Sequence, residues 1–299
     1  MSKKSSHIIS IFQALLVTFL WSTSFILIKW GLSEIPPITY AGLRYFLAFL
    51  CFLPFVLTKK KYINEIKNLS KIQWKKLILL GFVFYTFTQG AQFLGLSLLP
   101  SVTVSLMLNF TPIIVAVMGI FLLNEKPTPL QWTGSILFII GILVYFFPVS
   151  LLSNEIIGLF IMLIGVLANS GSAILGRDIN RRKDISPLVV TFISMGIGAV
   201  ILLAIGLATN DFPVISSTNL LYLIWLAAIN TAFAFTLWNL TMRNLSAMES
   251  SIINGTMLIQ IAILAWIFLG EAITVQEGAG MLIAVLGAVL VQLKKVKLS

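Results

Sequence analysis

The sequence predicts an all-α, polytopic membrane protein of ten transmembrane helices, built from two inverted five-helix repeats. Three observations carry this. Hydrophobic residues make up 59% of the 299-residue chain and charged residues 10%, where a soluble domain carries roughly 25% charged residues. Lipid is therefore the solvent. About ten apolar runs reach the ~20 residues that cross hydrocarbon as a helix. The segment Phe121-Leu122-Leu123-Asn124-Glu125 recurs about 146 residues later as Ile267-Phe268-Leu269-Gly270-Glu271.

That register holds without a gap. Glu125 falls on Glu271, Gly134 on Gly280, Gly141 on Gly287 and Ser105 on Ser251. An offset of half the chain means two copies of one unit, here residues 1–150 and 151–299. Five spans per copy is odd, so the second copy enters from the opposite side. Two copies related by an axis in the membrane plane are a common plan of secondary transporters.

The spans are expected near residues 9–30, 38–57, 74–97, 101–123, 129–148, 155–176, 186–208, 218–240, 247–269 and 273–293. The first follows Lys3 and Lys4 and runs from Ile8 to about Trp30 without a small-residue cleavage site, so it reads as a retained helix rather than a secretory signal. It carries Gln13, Thr18, Ser22, Thr23 and Ser24. The second is nearly bare apart from Arg44, which snorkels or pairs with a protein group in preference to meeting an anionic substrate. The third carries Thr86, Thr88, Gln89 and Gln92. The fourth carries Thr103, Ser105, Asn109 and Thr111, and Pro112 should kink it near its middle. The fifth is bare and has the Gly134–Gly141 heptad, which Gly280 and Gly287 repeat in the tenth. Gly158 and Gly165 space likewise in the sixth, which also holds Asn169, Ser170 and Ser172. Such stripes allow close helix packing within one chain, or a dimer seam. The seventh has Thr191 and Ser194. The eighth has Asn230, Thr231, Thr236, Asn239 and Thr241, and the ninth Ser250, Ser251, Asn254, Thr256 and Gln260.

Polar groups in a bilayer must face protein or water. Both copies concentrate them on their first, third and fourth helices. Helical spacing places Thr18, Ser22, Phe25 and Lys29 on one face. A second face holds Tyr85, Thr88 or Gln89, and Gln92. A third holds Ser105, Asn109 and Pro112. These faces mark a substrate path, or hydrogen bonds that join helices. The candidate substrate-binding residues are Thr18, Trp21, Ser22, Tyr85, Thr88, Gln89, Gln92, Ser105, Asn109, Asn169, Ser172, Asn230, Trp238, Ser251 and Asn254. Thr88, Gln89 and Gln92 are the expected neighbours of Asn109. Trp21, Trp238 and Trp266 form an aromatic wall or ordinary packing, and Trp74 and Trp132 are interfacial anchors. Glu125 and Glu271 should each cap the start of the next helix.

The net charge is +10, but the basic residues follow topology rather than a nucleic-acid surface. Lys3 and Lys4, the seven lysines from Lys59 to Lys76, Lys126, Arg177 to Lys183, Arg243, and Lys294 to Lys297 all fall on one side of ten spans. Lys29 is the exception. The positive-inside rule then makes both termini cytoplasmic. Cys51 is the single cysteine, so no internal disulfide forms. His7 is the single histidine and lies in the tail.

In order, and twice, the motifs resemble the drug/metabolite transporter superfamily, in the branch with two EamA-type repeats. Leu20-Trp21-Ser22-Thr23-Ser24-Phe25 with Lys29 is similar to the first-helix pattern, with Ser22 where glycine is usual. Leu43-Arg44-Tyr45 resembles the second helix. Thr111-Pro112 through Glu125, then Gln131-Trp132-Thr133-Gly134 and Gly141, resembles the end of the repeat. The resemblance implies export of small metabolites, often amino acids, and a central cavity formed mainly by helices one, three, four, six, eight and nine. The copies differ where Pro112 aligns with Leu258 and Asn109 with Gly255.

The expectation is thus a secondary transporter in the cell membrane that exports small polar metabolites such as amino acids by alternating access. Its partners are a small-molecule substrate and the lipid bilayer, with no nucleic acid, and it is a monomer or a homodimer. An exporter of larger amphipathic or aromatic compounds, and a membrane-embedded receptor or scaffold, are the alternatives. No catalytic residue, metal or cofactor is expected: no span holds a histidine or a deep aspartate pair, and no Gly-rich phosphate loop appears. The first span also lacks the acid on which small multidrug exporters rely.

Impermeant thiol reagents applied to intact cells should label Asp211→Cys and leave cysteines placed within residues 59–71 unreactive. The opposite pattern would overturn the orientation.

Overall fold

The computed structural model describes residues 3–111, 113–115, 117–118, 128–147, 153–181, 184–241, 245 and 253–292. No strand occurs among them. The first repeat supplies α1 (Lys3–Gly31), α2 (Pro37–Thr58), α3 (Lys71–Leu98), α4 (Ser101–Leu108) and α5 (Pro129–Phe146). A short helix, Lys60–Lys67, with no buried residue, links α2 to α3. The second repeat supplies α6 (Ser153–Arg181), α7 (Pro187–Thr209), α8 (Ser217–Thr241), α9 (Met257–Leu269) and α10 (Val275–Gln292). Seven of these, α1 to α3 and α5 to α8, are long and apolar enough to cross a membrane. The other three are shorter apolar helices.

Local chemistry starts the helices where the sequence permits. Proline occupies the first turn at Pro37, Pro129 and Pro187, where its missing N–H costs nothing. Reciprocal side-chain caps pair Ser70 with Gln73, Thr128 with Gln131, and Thr274 with Glu277.

Two helices are irregular at matching points of the repeats. α3 widens to a π-helix over Gly81–Thr88, and α8 does so over Ala228–Phe233. In each, a threonine hydroxyl donates five residues back: Thr88 Oγ1 to the Val83 carbonyl at 3.1 Å and Thr231 Oγ1 to the Leu226 carbonyl at 2.8 Å. Wide turns of this kind concentrate at functional sites. Helix α4 stops at a turn over Asn109 and Phe110, and a turn at Thr256 precedes α9. Pro112, the expected kink, lies outside the described residues. In the second repeat the interruption follows Gly255, with no proline nearby, so proline is not required for it.

Close contacts fix which helices pair. A Cβ on Gly141 would lie 2.4 Å from the Ala284 nitrogen, and one on Gly287 would lie 2.4 Å from the Phe138 nitrogen. As residue numbers rise along α5 they fall along α10, so the two cross antiparallel, backbone to backbone. The heptad glycines therefore pack within the chain. α2 and α7 meet the same way, through Gly42 on Leu203 and Gly206 on Thr39. α3 and α6 also cross antiparallel, with side chains in the seam, through Gly95 on Met162 and Gly165 on Ala91. The main core, with Tyr40, Phe93, Met162, Met195, Leu202 and Leu223, lies among α2, α3, α6, α7 and α8. A second core around Phe138, Leu258 and Ala284 joins α4, α5, α9 and α10.

Acidic side chains tie helix ends across the repeats. Glu34, after α1, accepts from the Ser216 N–H at 2.9 Å at the start of α8. Hydrogen bonds from the Asn219 side chain and the Ser216 backbone hold its carboxyl below the usual carboxylate range. A depressed value means this tie is present at neutral pH and is lost as pH falls through the folded-state value. Asp178 at the end of α6 pairs with Lys76 near the start of α3, and Glu65 accepts from the Ser186 N–H that opens α7. Glu271 corrects an expectation. It does not cap the next helix, where Thr274 and Glu277 do that. It accepts instead from Ser101 N–H at 2.9 Å and Val102 N–H at 3.4 Å, capping α4 of the other repeat. Gly270, with φ of 68°, ends α9 in the left-handed conformation and turns the chain so that Glu271 can do so. Glu125 lies outside the described residues.

Gly141→Leu should destabilise the protein by about 1–3 kcal/mol or more, the usual cost of overpacking. Gly171→Ala should be neutral or stabilising by up to ~1 kcal/mol, because nothing lies within 4 Å of its added carbon. Thermal unfolding in detergent checks both, and equal effects would discount the α5–α10 contact.

Candidate functional site

The polar side chains of α1 do not stay on their own helix. Ser22 Oγ donates to Gln260 Oε1 on α9 at 3.0 Å, and Gln260 Nε2 donates back to Thr18 Oγ1 at 3.3 Å and to Thr256 Oγ1 at 3.0 Å. Thr18 and Ser22 are fully buried. Spacing had placed them on one face; Gln260, their partner, was not singled out. A lone amide in a very apolar helix, one turn after Thr256, was the available signal.

One turn further on, α1 meets α8. Asn230 Nδ2 approaches the Leu20 carbonyl, Thr23 Oγ1 at 3.0 Å and Ser24 Oγ at 2.9 Å. Its Oδ1 is buried without a partner. Trp21 packs on Phe235 and Trp238, with ring centroids 5.3 and 5.2 Å away, and its Nε1 is likewise buried and unpartnered. Trp266 stands apart, exposed on α9, and does not join this wall.

Of the two expectations for Arg44, pairing with protein groups is the one found. It does not snorkel: 4% of its surface is exposed. Nε donates to Thr231 Oγ1 at 3.0 Å and Nη2 to Ser24 Oγ at 3.4 Å. The guanidinium also lies 5.3 Å from the Tyr45 ring centroid and 6.0 Å from that of Phe93. At the end of α1, Lys29 Nζ donates to the Leu99 carbonyl at 2.7 Å.

The face expected on α3 divides. Gln89 accepts from the Tyr45 hydroxyl at 2.6 Å, and Tyr85 packs edge-on against Tyr45 in the core. Thr88 bonds within its own helix, and Gln92 is half-buried. Gln89 therefore faces α2 rather than Asn109. Asn109 is half-buried and donates to the Ser105 carbonyl at 2.9 Å; Ser105 itself is buried. The polar neighbour of this region is α6. Asn169 Nδ2 donates to Thr111 Oγ1 at 3.0 Å, and Ser172 Oγ donates to the Asn169 carbonyl at 2.7 Å. Asn254 is exposed, and Ser251 lies outside the described residues.

A cavity of about 510 Å³ opens where α3, α5 and α9 end and α4 and α10 begin, lined by Leu99, Thr103, Tyr145, Glu155, Glu271 and Glu277 among others. Thr103 and Tyr145 bridge across it at 3.2 Å. No group of three or more His, Cys, Asp or Glu suited to a metal occurs among the described residues. Chemically, the interior offers amide, hydroxyl and guanidinium groups, the donors and acceptors that hydrogen-bond polar solutes.

Comparison with known proteins agrees with this frame. The EamA-like transporter family matches residues 8–147 and 156–293. The uncharacterized transporter YvbV of Bacillus subtilis is 28% identical, over 94% of this chain and 92% of that protein. A probable amino-acid metabolite efflux pump of Escherichia coli is 25% identical over 75% of each chain. A solved crystal structure superposes with a TM-score of 0.67 at 18% identity, covering 97% of this chain and 98% of that one, which speaks for the fold. Two matched segments that together span nearly the whole sequence mean that the chain belongs to the EamA-like transporter family, a family of membrane transporters and not enzymes.

Proposed function

We propose that this transporter exports small polar metabolites, amino acids among them, across the cell membrane by alternating access. In this reading ten helices form two inverted repeats, residues 1–150 and 151–299, with both termini cytoplasmic and the monomer as the transporting unit. The observation that carries it is the polar seam of α1, where Thr18, Ser22, Ser24 and the Leu20 carbonyl bond to Gln260 and Asn230 of the other repeat. A hydrogen-bonded contact between repeats near mid-membrane is where alternating-access sites form. Antiparallel pairing of α2 with α7 and of α5 with α10, and matching irregular turns in α3 and α8, support the inverted relation. The E. coli relative's name supports amino acids as the substrate class.

A second reading, export of larger amphipathic or aromatic compounds, draws on the Trp21, Phe235 and Trp238 cluster. Counterflow of labelled amino acids in proteoliposomes separates the two. Uptake of amino acids above empty liposomes is expected; uptake confined to aromatic amphiphiles would favour the second.

No span carries a carboxylate at mid-depth, so an imposed pH gradient at zero membrane potential should not by itself concentrate substrate. Strong accumulation would overturn that expectation, unless Glu271→Gln abolished it.

Asn109 lies where α4 breaks, half-buried, with an amide suited to a zwitterion. Asn109→Leu should weaken substrate binding by about 1–3 kcal/mol and change thermal stability less. Unchanged affinity and flux with lost stability would make Asn109 a helix-packing residue.

A further inference from the structure

Arg44 is a buried cation that meets no anion among the described residues. It sits about 10 Å along α2 from Pro37, is 4% exposed, and no carboxylate among the described residues approaches it. Its hydrogen bonds go to two neutral hydroxyls, Thr231 and Ser24, one of them long at 3.4 Å. The bonds it makes among the described residues use Nε and Nη2. The Tyr45 and Phe93 rings recover part of the desolvation cost. A guanidinium with five donors in a low-dielectric interior calls for a planar oxyanion.

Its surroundings complete the pattern. The Ser24 hydroxyl accepts from both Arg44 and Asn230, so the two side chains are one atom apart. The atom of Asn230 facing the Leu20 carbonyl must be the nitrogen, since a carbonyl only accepts. That assigns the buried, unpartnered atom as Oδ1, an acceptor. Trp21, three residues before Ser24 on the same face of α1, adds a buried, unpartnered N–H. Trp21 and Thr23 are half-buried rather than sealed in the core. With the register of about 146 residues, Arg44 falls on Val190; the other repeat has no matching charge.

We propose that Arg44 is the group that receives a substrate carboxylate, with Asn230 Oδ1 taking an adjacent donor such as an ammonium. The carboxylate replaces the single bonds to Ser24 and Thr231 with a forked, charge-assisted pair. This rests on the transport reading and narrows it: the ligand carries a carboxylate, and the charge that reads it belongs to the first repeat alone.

The test uses the purified full-length protein in nanodiscs and three matched probes. These are L-phenylalanine, 3-phenylpropanoate, which lacks the amine, and phenethylamine, which lacks the carboxylate. The two carboxylates should raise the melting temperature of the wild type in a saturable way, and phenethylamine should not. Arg44→Gln should abolish the response. Arg44→Lys keeps the charge and loses the fork, and serves if the glutamine variant does not fold; its half-saturating concentration should rise about tenfold or more. Loss of the amine should cost less than loss of the carboxylate. An equal response to phenethylamine, a full response in either variant, or no response to any carboxylate would overturn the proposal. An equal shift with chloride or phosphate would also overturn it, marking an inorganic anion site. If carboxylates bind through Arg44 and no amino acid is carried in proteoliposomes, the export reading fails while this inference stands.

Discussion

The bond from the Asn230 amide to the Leu20 carbonyl sets the terms for the rest of the interior. In lipid no water can take up an exposed backbone or side-chain polar group, so each must be met by protein. Leu20 lies mid-helix, and its carbonyl accepts from Thr23 Oγ1 at 2.7 Å and Ser24 Oγ at 3.3 Å as well as from Asn230. That cluster binds α1 to α8 of the other repeat, fixes the rotation of both helices, and so decides where Trp21, Arg44 and Thr231 stand. Double-mutant measurements in membranes give such bonds ~0.6 kcal/mol on average. Their weight here lies in geometry more than in stability. They are strong enough to hold a register and weak enough to be exchanged.

Packing divides the labour. α5 and α10 meet through four glycines with little polar content, and α2 and α7 meet through Gly42 and Gly206. These seams are backbone against backbone and leave no room for adjustment. α1 meets α8 and α9, and the turn after α4 meets α6, through hydroxyls and amides, which in the proposed function can exchange their bonds for those of a solute. A transporter needs both kinds of seam, rigid where the halves are braced and exchangeable where they part.

Much of this was legible in the sequence. Composition gave the class, the Glu125–Glu271 register gave the repeats, and the distribution of Ser, Thr, Asn and Gln picked out the helices that carry polar contacts. Thr18 and Ser22 were placed on one face by spacing alone. What escaped was tertiary. Nothing local says that Glu271 reaches past its own next helix to α4, because the left-handed turn at Gly270 aims it and the target is 170 residues away. For Arg44 the sequence left snorkelling and pairing with protein open, and the cover of α1 and α8 decides for pairing. Gln89 and Asn109 share neighbouring helices, yet Tyr45 claims Gln89.

The widened turns of α3 and α8 bear on how this gene can change length. A π-helical segment holds one residue more than the α-helix it replaces. Deleting a codon within Gly81–Thr88 would let that turn close to α-helical form while both flanking halves keep their faces. The same deletion elsewhere in α3 would swing every later side chain by about 100°, turning Gly95 away from Met162 and lipid-facing residues inward. Length variation among related genes should therefore be tolerated at these two turns and resisted along the rest of both helices.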